Sequence, residues 1–157
     1  MDSFQLQRQP KLKRPGAGNG ARTEQVKEIT RYLIEEEPEA SAWMTKLSRR
    51  KRFQKRFFQL KGPFLMYWHQ KINAQQFATP DCVFDLRCAS ECSRGDDHRT
   101  IHLPFGSRGD AGEVVLKSAA EGNDIDAAEE WLEEWINALG KAVVQHSRSL
   151  VEDYDAY

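Results

Sequence analysis

The chain has 157 residues, 39% of them hydrophobic and 30% charged, with Lys+Arg 23 against Asp+Glu 24 and a formal net charge of −1. This composition suffices for one small core and a tail, and no apolar run approaches the roughly 18 residues that span a bilayer. Met1-Asp2-Ser3-Phe4-Gln5 holds no apolar secretory segment, Asp2 excludes a myristoylation signal, and Asp155-Ala156-Tyr157 is no prenylation box. The three cysteines are therefore expected as reduced thiols of the cytosol.

Residues 1–22 read as a disordered basic tail. They carry Pro10, Pro15, Gly16, Gly18 and Gly20, and five bases (Arg8, Lys11, Lys13, Arg14, Arg22) against Asp2, a net +4. The Gly16–Gly20 run lacks the preceding strand that a phosphate loop needs, so it reads as linker. Residues 23–37 predict a short N-terminal helix. Thr23 can cap it, Val26, Ile29 and Leu33 share a face, and Pro38 ends it. Glu35, Glu36 and Glu37 have the wrong sign for the helix C-terminus, so packing of the apolar stripe must hold this helix. That stripe faces either its own core or a docking partner.

From residue 41 the pattern changes to short strands. Between Lys46 and Arg56 there are seven bases (Lys46, Arg49, Arg50, Lys51, Arg52, Lys55, Arg56) and no acid, which in a chain of nearly zero net charge makes a concentrated positive field. Trp43–Leu47, Phe57–Leu60 and Phe64–Trp68 predict three strands, the last two joined across Lys61-Gly62-Pro63. A loop over 73–80, strands near 82–86, 89–93, 100–104 and 113–118, and a Gly-rich loop at 106–112 follow. Seven short strands at this spacing predict a mainly β, antiparallel barrel or sandwich. The period then becomes helical. Trp131, Leu132, Trp135, Ala138, Leu139, Ala142 and Val143 form one amphipathic stripe behind an acidic start at Asp126, a helix suited to plug an open barrel end. Residues 121–157 hold ten acids against two bases, net −8, so the molecule is expected to be electrically polarised, with 146–157 an acidic C-terminal extension.

Several of these segments resemble known motifs. Ala42-Trp43-Met44-Thr45-Lys46 resembles an opening G-W-L-x-K, Phe53 to Leu60 resembles W-K-x-R-W-F-x-L, Leu65-Met66-Tyr67-Trp68 resembles L-x-Y-Y, and Glu134-Trp135-Ile136-Asn137-Ala138-Leu139 resembles a closing E-W-x-x-A-I. Over about 41–145 the chain is similar to the pleckstrin homology (PH) domain family. The resemblance implies a seven-stranded barrel capped by a C-terminal helix and, in lipid-binding members, an inositol phosphate headgroup held by the first hairpin. The corresponding positions are Lys46, Gln54, Arg56 and Tyr67. Gln54 departs from the family pattern, since it carries no charge where Lys or Arg recurs. Arg49, Arg50, Lys51, Arg52 and Lys55 would add general attraction to an anionic membrane, roughly 1 kcal/mol per basic residue. Strand alternation should put Lys55 on the face opposite to Gln54 and Arg56.

Other constellations carry little. Cys82, Cys88 and Cys92 lack metal-site spacing, and the His98–His102 gap lies between a turn and a strand, so no metal or cofactor is expected. No nucleophile, base and oxyanion donors can be assembled, so no enzyme is expected. Basic runs also attract nucleic acid, but Phe57 reads as core and no RNA motif is present. Two functions remain: a cytosolic monomer held at phosphoinositide-containing or anionic membrane, or an adaptor that docks protein without binding lipid. A protein partner is expected under either.

Overall fold

The computed structural model describes residues 19–97, 99–106, 112–119 and 125–155. Helix α1 spans Asn19–Glu35, strand β1 Ala40–Leu47, β2 Phe53–Lys61 and β3 Phe64–Trp68. A five-residue helix α2, Lys71–Gln75, precedes β4, Cys82–Asp85. A single 3-10 turn, Leu86–Cys88, leads to β5 (Ser93–Arg94), β6 (Thr100–Pro104), β7 (Glu113–Ser118) and helix α3 (Ile125–Asp155). The strands form one antiparallel sheet in the order β4-β3-β2-β1-β7-β6-β5. This is the mainly β, seven-stranded architecture with a C-terminal helix that the spacing predicts.

Two apolar cores lie on opposite faces of the sheet. On the inner face Met44, Phe58, Leu60, Leu65, Phe84, Ile101, Leu103, Val114 and Leu116 pack against Leu132, Trp135, Leu139, Ala142 and Val143 of α3. On the outer face Phe57, Phe64, Met66, Trp68 and Val83 pack against Ile29 and Leu33 of α1 and Ala74 of α2. Strands β3 and β4 are thus covered on both sides, and for that reason Phe64–Trp68 reads as a continuous apolar run instead of alternating. The apolar stripe of α1 faces this chain's own sheet: Ile29 is 0% and Leu33 3% exposed.

Polar contacts fix α1 where its own sequence would let it fray. Lys61, itself buried, donates from Nζ to the Leu33 carbonyl at 2.7 Å and so satisfies a carbonyl of the last turn and opposes the Glu35–Glu37 charges. Arg87 bonds Asp85 through Nε and Nη2 at 2.9 and 2.8 Å and pairs with Glu28 of α1 at 2.6 Å. Gln25 donates to Asp85 at 3.1 Å. Gly62 has a φ of +58°, and a Cβ there would fall 2.3 Å from the Tyr32 ring, so both the β2–β3 turn and the seat of α1 require glycine.

Local differences from the sequence reading have local causes. The first turn of α1 takes in Asn19–Arg22, which composition assigns to the tail; the first N–H groups of a helix need no intrahelical partner, so Gly20 costs little there. The rest of that tail, 1–18, lies outside the described residues. The loop expected over 73–80 begins inside α2, because Ala74 is buried under the outer core and Trp68 donates from its indole to the Ala78 carbonyl at 2.9 Å. The fifth strand is only Ser93–Arg94, with Ala89 making a lone bridge to Phe105. Helix α3 continues through most of 146–157, and His98 lies outside the described residues.

Candidate anion-binding site

Antiparallel order sends the β1–β2 turn and the β3–β4 and β6–β7 connections out of the same end of the sheet. Helix α3 packs on the 3-10 turn after β4, at the other end. Among the described residues α3 thus leaves the first end uncovered, and the inner face of the hairpin leads to it. The register pairs Leu60 with Leu65, Phe58 with Tyr67, Met44 with Arg56 and Lys46 with Gln54. Leu60, Phe58 and Met44 belong to the inner core, so alternation brings Lys46, Gln54, Arg56 and Tyr67 to one face, in successive rows from the core to the mouth.

The four predicted headgroup residues thus converge. Tyr67 forms the floor, its ring 5.2 Å from Phe58 and 6.2 Å from Phe84. Lys46 reaches across that floor, with Nζ 5.9 Å from the Phe84 ring centre and 3.4 Å from the Leu47 carbonyl. Burial holds its ammonium below the ordinary lysine value; Arg49 and Arg56 push the same way, while Cys82 opposes them. Arg56 donates from Nη1 to the Lys55 carbonyl at 2.7 Å and from Nη2 to Gln54 Oε1 at 3.5 Å. Gln54, uncharged, therefore offers Arg56 an acceptor that Lys could not provide. Among the described residues no carboxylate comes within 4.0 Å of a nitrogen of Lys46 or Arg56. Asp81, at the start of β4, is engaged by the Nδ1 and backbone N–H of His69, at 2.7 and 2.8 Å.

The turn has its own geometry. Lys51 N donates to the Ser48 carbonyl at 3.0 Å and Ser48 N to the Arg52 carbonyl at 2.8 Å. Lys51 sits at a φ of 63°, where Gly or Asn is usual. Ser48 thus stands opposite Arg52, which extends the Lys46–Gln54 register by one row. Alternation then puts Arg52 on the pocket face with Gln54 and Arg56, whereas composition alone counts it with the general loop charges. Arg49, Arg50 and Lys51 are exposed at the tip. Lys55 lies on the outer face, opposite Thr45, with Nζ 5.2 Å over the Trp43 ring.

No family model matches the sequence. Over 124 residues the chain is 31% identical to Pleckstrin homology domain-containing protein 1 of Arabidopsis thaliana, covering 75% of this chain and 80% of that protein. The chain belongs to the pleckstrin homology domain family. Solved PH domains share its fold at low identity. The human oxysterol-binding protein-related protein 11 domain superposes with a TM-score of 0.54 at 18% identity, covering 70% of this chain and 83% of that one. The Slm1 PH domain in complex with phosphoserine gives 0.54 at 13% identity, over 68% and 96% of the two chains. The same domain with inositol-4-phosphate gives 0.52 at 15%, over 67% and 95%. In this PH domain the Trp135 side chain of α3 is 1% exposed and belongs to the inner core.

Proposed function

We propose that this PH domain is a non-catalytic targeting module that binds phosphoinositide headgroups, or anionic membrane more generally, through the inner face of its first hairpin. The observation that carries this reading is the convergence of Lys46, Arg52, Gln54, Arg56 and Tyr67 at the open end, with Lys46 half-buried and facing no carboxylate. Such a cation is poorly solvated in the empty pocket and is compensated by an arriving phosphomonoester, which brings close to two negative charges and several acceptors. The exposed Arg49, Arg50 and Lys51 then provide sequence-independent attraction to the leaflet. The Slm1 complexes with inositol-4-phosphate and phosphoserine fit the same ligand chemistry on this fold. Attachment would be peripheral, at cytosolic membrane faces, by a monomer. No helix among the described residues is long and apolar enough to cross a membrane.

The second reading is protein docking. The exposed side chains of Ile34, Ile72 and Phe77 favour it, because they lie outside both cores. Calorimetric titration with soluble inositol phosphates separates the two. Saturable binding that is lost in Lys46→Ala and in Arg56→Ala, with both variants still folded, is expected. No heat and no displaced resonance from the hairpin at millimolar ligand would leave docking as the function.

A further inference from the structure

We propose that Ser48 is a phosphorylation site and that a phosphate on it occupies the mouth of the headgroup pocket, switching membrane attachment off. The inference rests on the reading above for its consequence, and on the geometry of the turn for its mechanism. Ser48 is the only hydroxyl between Lys46 and Arg56. The nearest hydroxyl before it, that of Thr45 in β1, points to the other face and donates to the Lys117 carbonyl at 3.2 Å. Ser48 Oγ instead accepts the backbone N–H of Arg52 at 3.2 Å, so a donor is already aimed at the oxygen that would carry the phosphate.

The register supplies the rest of the cradle. Ser48 stands opposite Arg52 and two residues beyond Lys46 on the same face, a spacing of about 7 Å along the strand. A phosphate on Oγ therefore comes within reach of a lysine ammonium and an arginine fork. It adds about −1.5 to −2 charge and three acceptor oxygens, the chemistry a headgroup phosphate would bring. Being tethered, it competes at high effective concentration. It also offsets about half of the four positive charges from Arg49 to Arg52.

The site suits modification. Arg49, Arg50, Lys51 and Arg52 are exposed, and the turn is held by three short-range hydrogen bonds with Lys51 in the left-handed region, so it can open locally. Bases at each of the four positions after the serine suit a kinase that selects positive charge on that side. In the step, the Ser48 oxygen bonds the γ-phosphorus of a nucleoside triphosphate. The bond from that phosphorus to its bridging oxygen breaks, the diphosphate leaves, and the hydroxyl proton passes to the kinase's base.

The test uses the full chain with a purified basophilic serine/threonine kinase and ATP, with mass spectrometry to locate the phosphate, and a second preparation with phosphoserine installed at 48 during translation. Vesicles of phosphatidylcholine doped with a phosphatidylinositol phosphate are the binding probe. Phosphate should appear at Ser48, and the Kd should rise roughly tenfold or more, the order set by cancelling two surface charges. Kinase-treated Ser48→Ala should show no such rise. Equal affinity of the phosphorylated and unmodified proteins overturns the switch, and a kinase that modifies the free 45–56 peptide but never the folded chain overturns the site. If the unmodified protein ignores the vesicles, the membrane reading falls, and phosphorus NMR still decides the inference. A docked phosphoserine titrates below its usual pKa of about 6 and returns toward it in Lys46→Met. A phosphoserine that titrates like that of the free peptide contradicts the docking.

Discussion

Lys46 carries opposed demands: burial disfavours its charge, and the proposed ligand requires it. Its ammonium is lowered from the ordinary value by burial first, with Arg49 and Arg56 adding to the effect. Between its folded pKa and the unfolded value the unfolded chain binds more protons, so stability rises with pH through that window, and at neutral pH the charge is a net cost. Lys46→Met should therefore raise the thermal unfolding midpoint while abolishing headgroup binding, as differential scanning calorimetry and titration on one preparation would show. Lys51 is a second residue held against its preference. Its left-handed φ of 63° suits glycine, so Lys51→Gly should stabilise the fold by up to about 1 kcal/mol while weakening attraction to anionic vesicles by a similar amount. At this scale the alternation of side chains was legible: it fixes Lys46 with Gln54 and Arg56, and Lys55 opposite them. The side taken by Arg52 was not: composition counts it with the loop, because only the Ser48–Arg52 backbone hydrogen bond shows that strand pairing, and with it the alternation, continues to residue 52.

Among the elements, α1 tests the role of long-range polar contacts. The sequence shows its apolar stripe, but Lys61 lies 28 residues from Leu33, and Asp85 lies 60 residues from Gln25, so neither bond has a local signal. Arg87 joins three parts of the molecule, bonding Asp85, pairing with Glu28 and standing near His146 of α3. The Asp85 side chain is 0% exposed, so Arg87→Ala leaves a buried charge without its main partner and should cost about 3–5 kcal/mol in chemical denaturation. His146 is lowered from its ordinary value by burial and by Arg87, against the opposing pull of Glu39, Asp85 and Glu28. Below pH about 6.5 the unfolded chain therefore takes up a proton that the folded one resists. Stability should fall from pH 7 toward pH 5, and His146→Gln should flatten that slope; an unchanged slope would remove His146 from the account. Helix α2 and the true bounds of β5, expected at 89–93 and found at Ser93–Arg94, were not legible for a shared reason. Both are too short for periodicity, and burial of Ala74 and pairing of Ser93 with His102 decide them from outside the segment.

Across the whole molecule, the last helix and the first hairpin divide the labour. Trp135, at 1% exposure, fills the end that α3 covers, and Trp135→Ala should cost about 3–5 kcal/mol and leave little folded protein. The hairpin keeps its charges at the opposite end, so a chain of net charge −1 carries a cationic pole. The seven-strand count and the terminal helix could be read from turn spacing and a change of period, since each is a repeated local signal. The seat of α1 on the chain's own core was legible only as one of two readings of its apolar stripe, and which part of the sheet it covers was not. The most direct test is sedimentation with vesicles of equal charge, one set holding a phosphoinositide and the other only plain anionic lipid, at low and physiological salt. Binding to both sets that weakens as salt rises, a preference for the phosphoinositide set, and loss of that preference alone in Lys46→Ala/Arg56→Ala are expected. Wild-type protein that ignores both sets at low salt, or a double variant that keeps the preference, would contradict the proposed function.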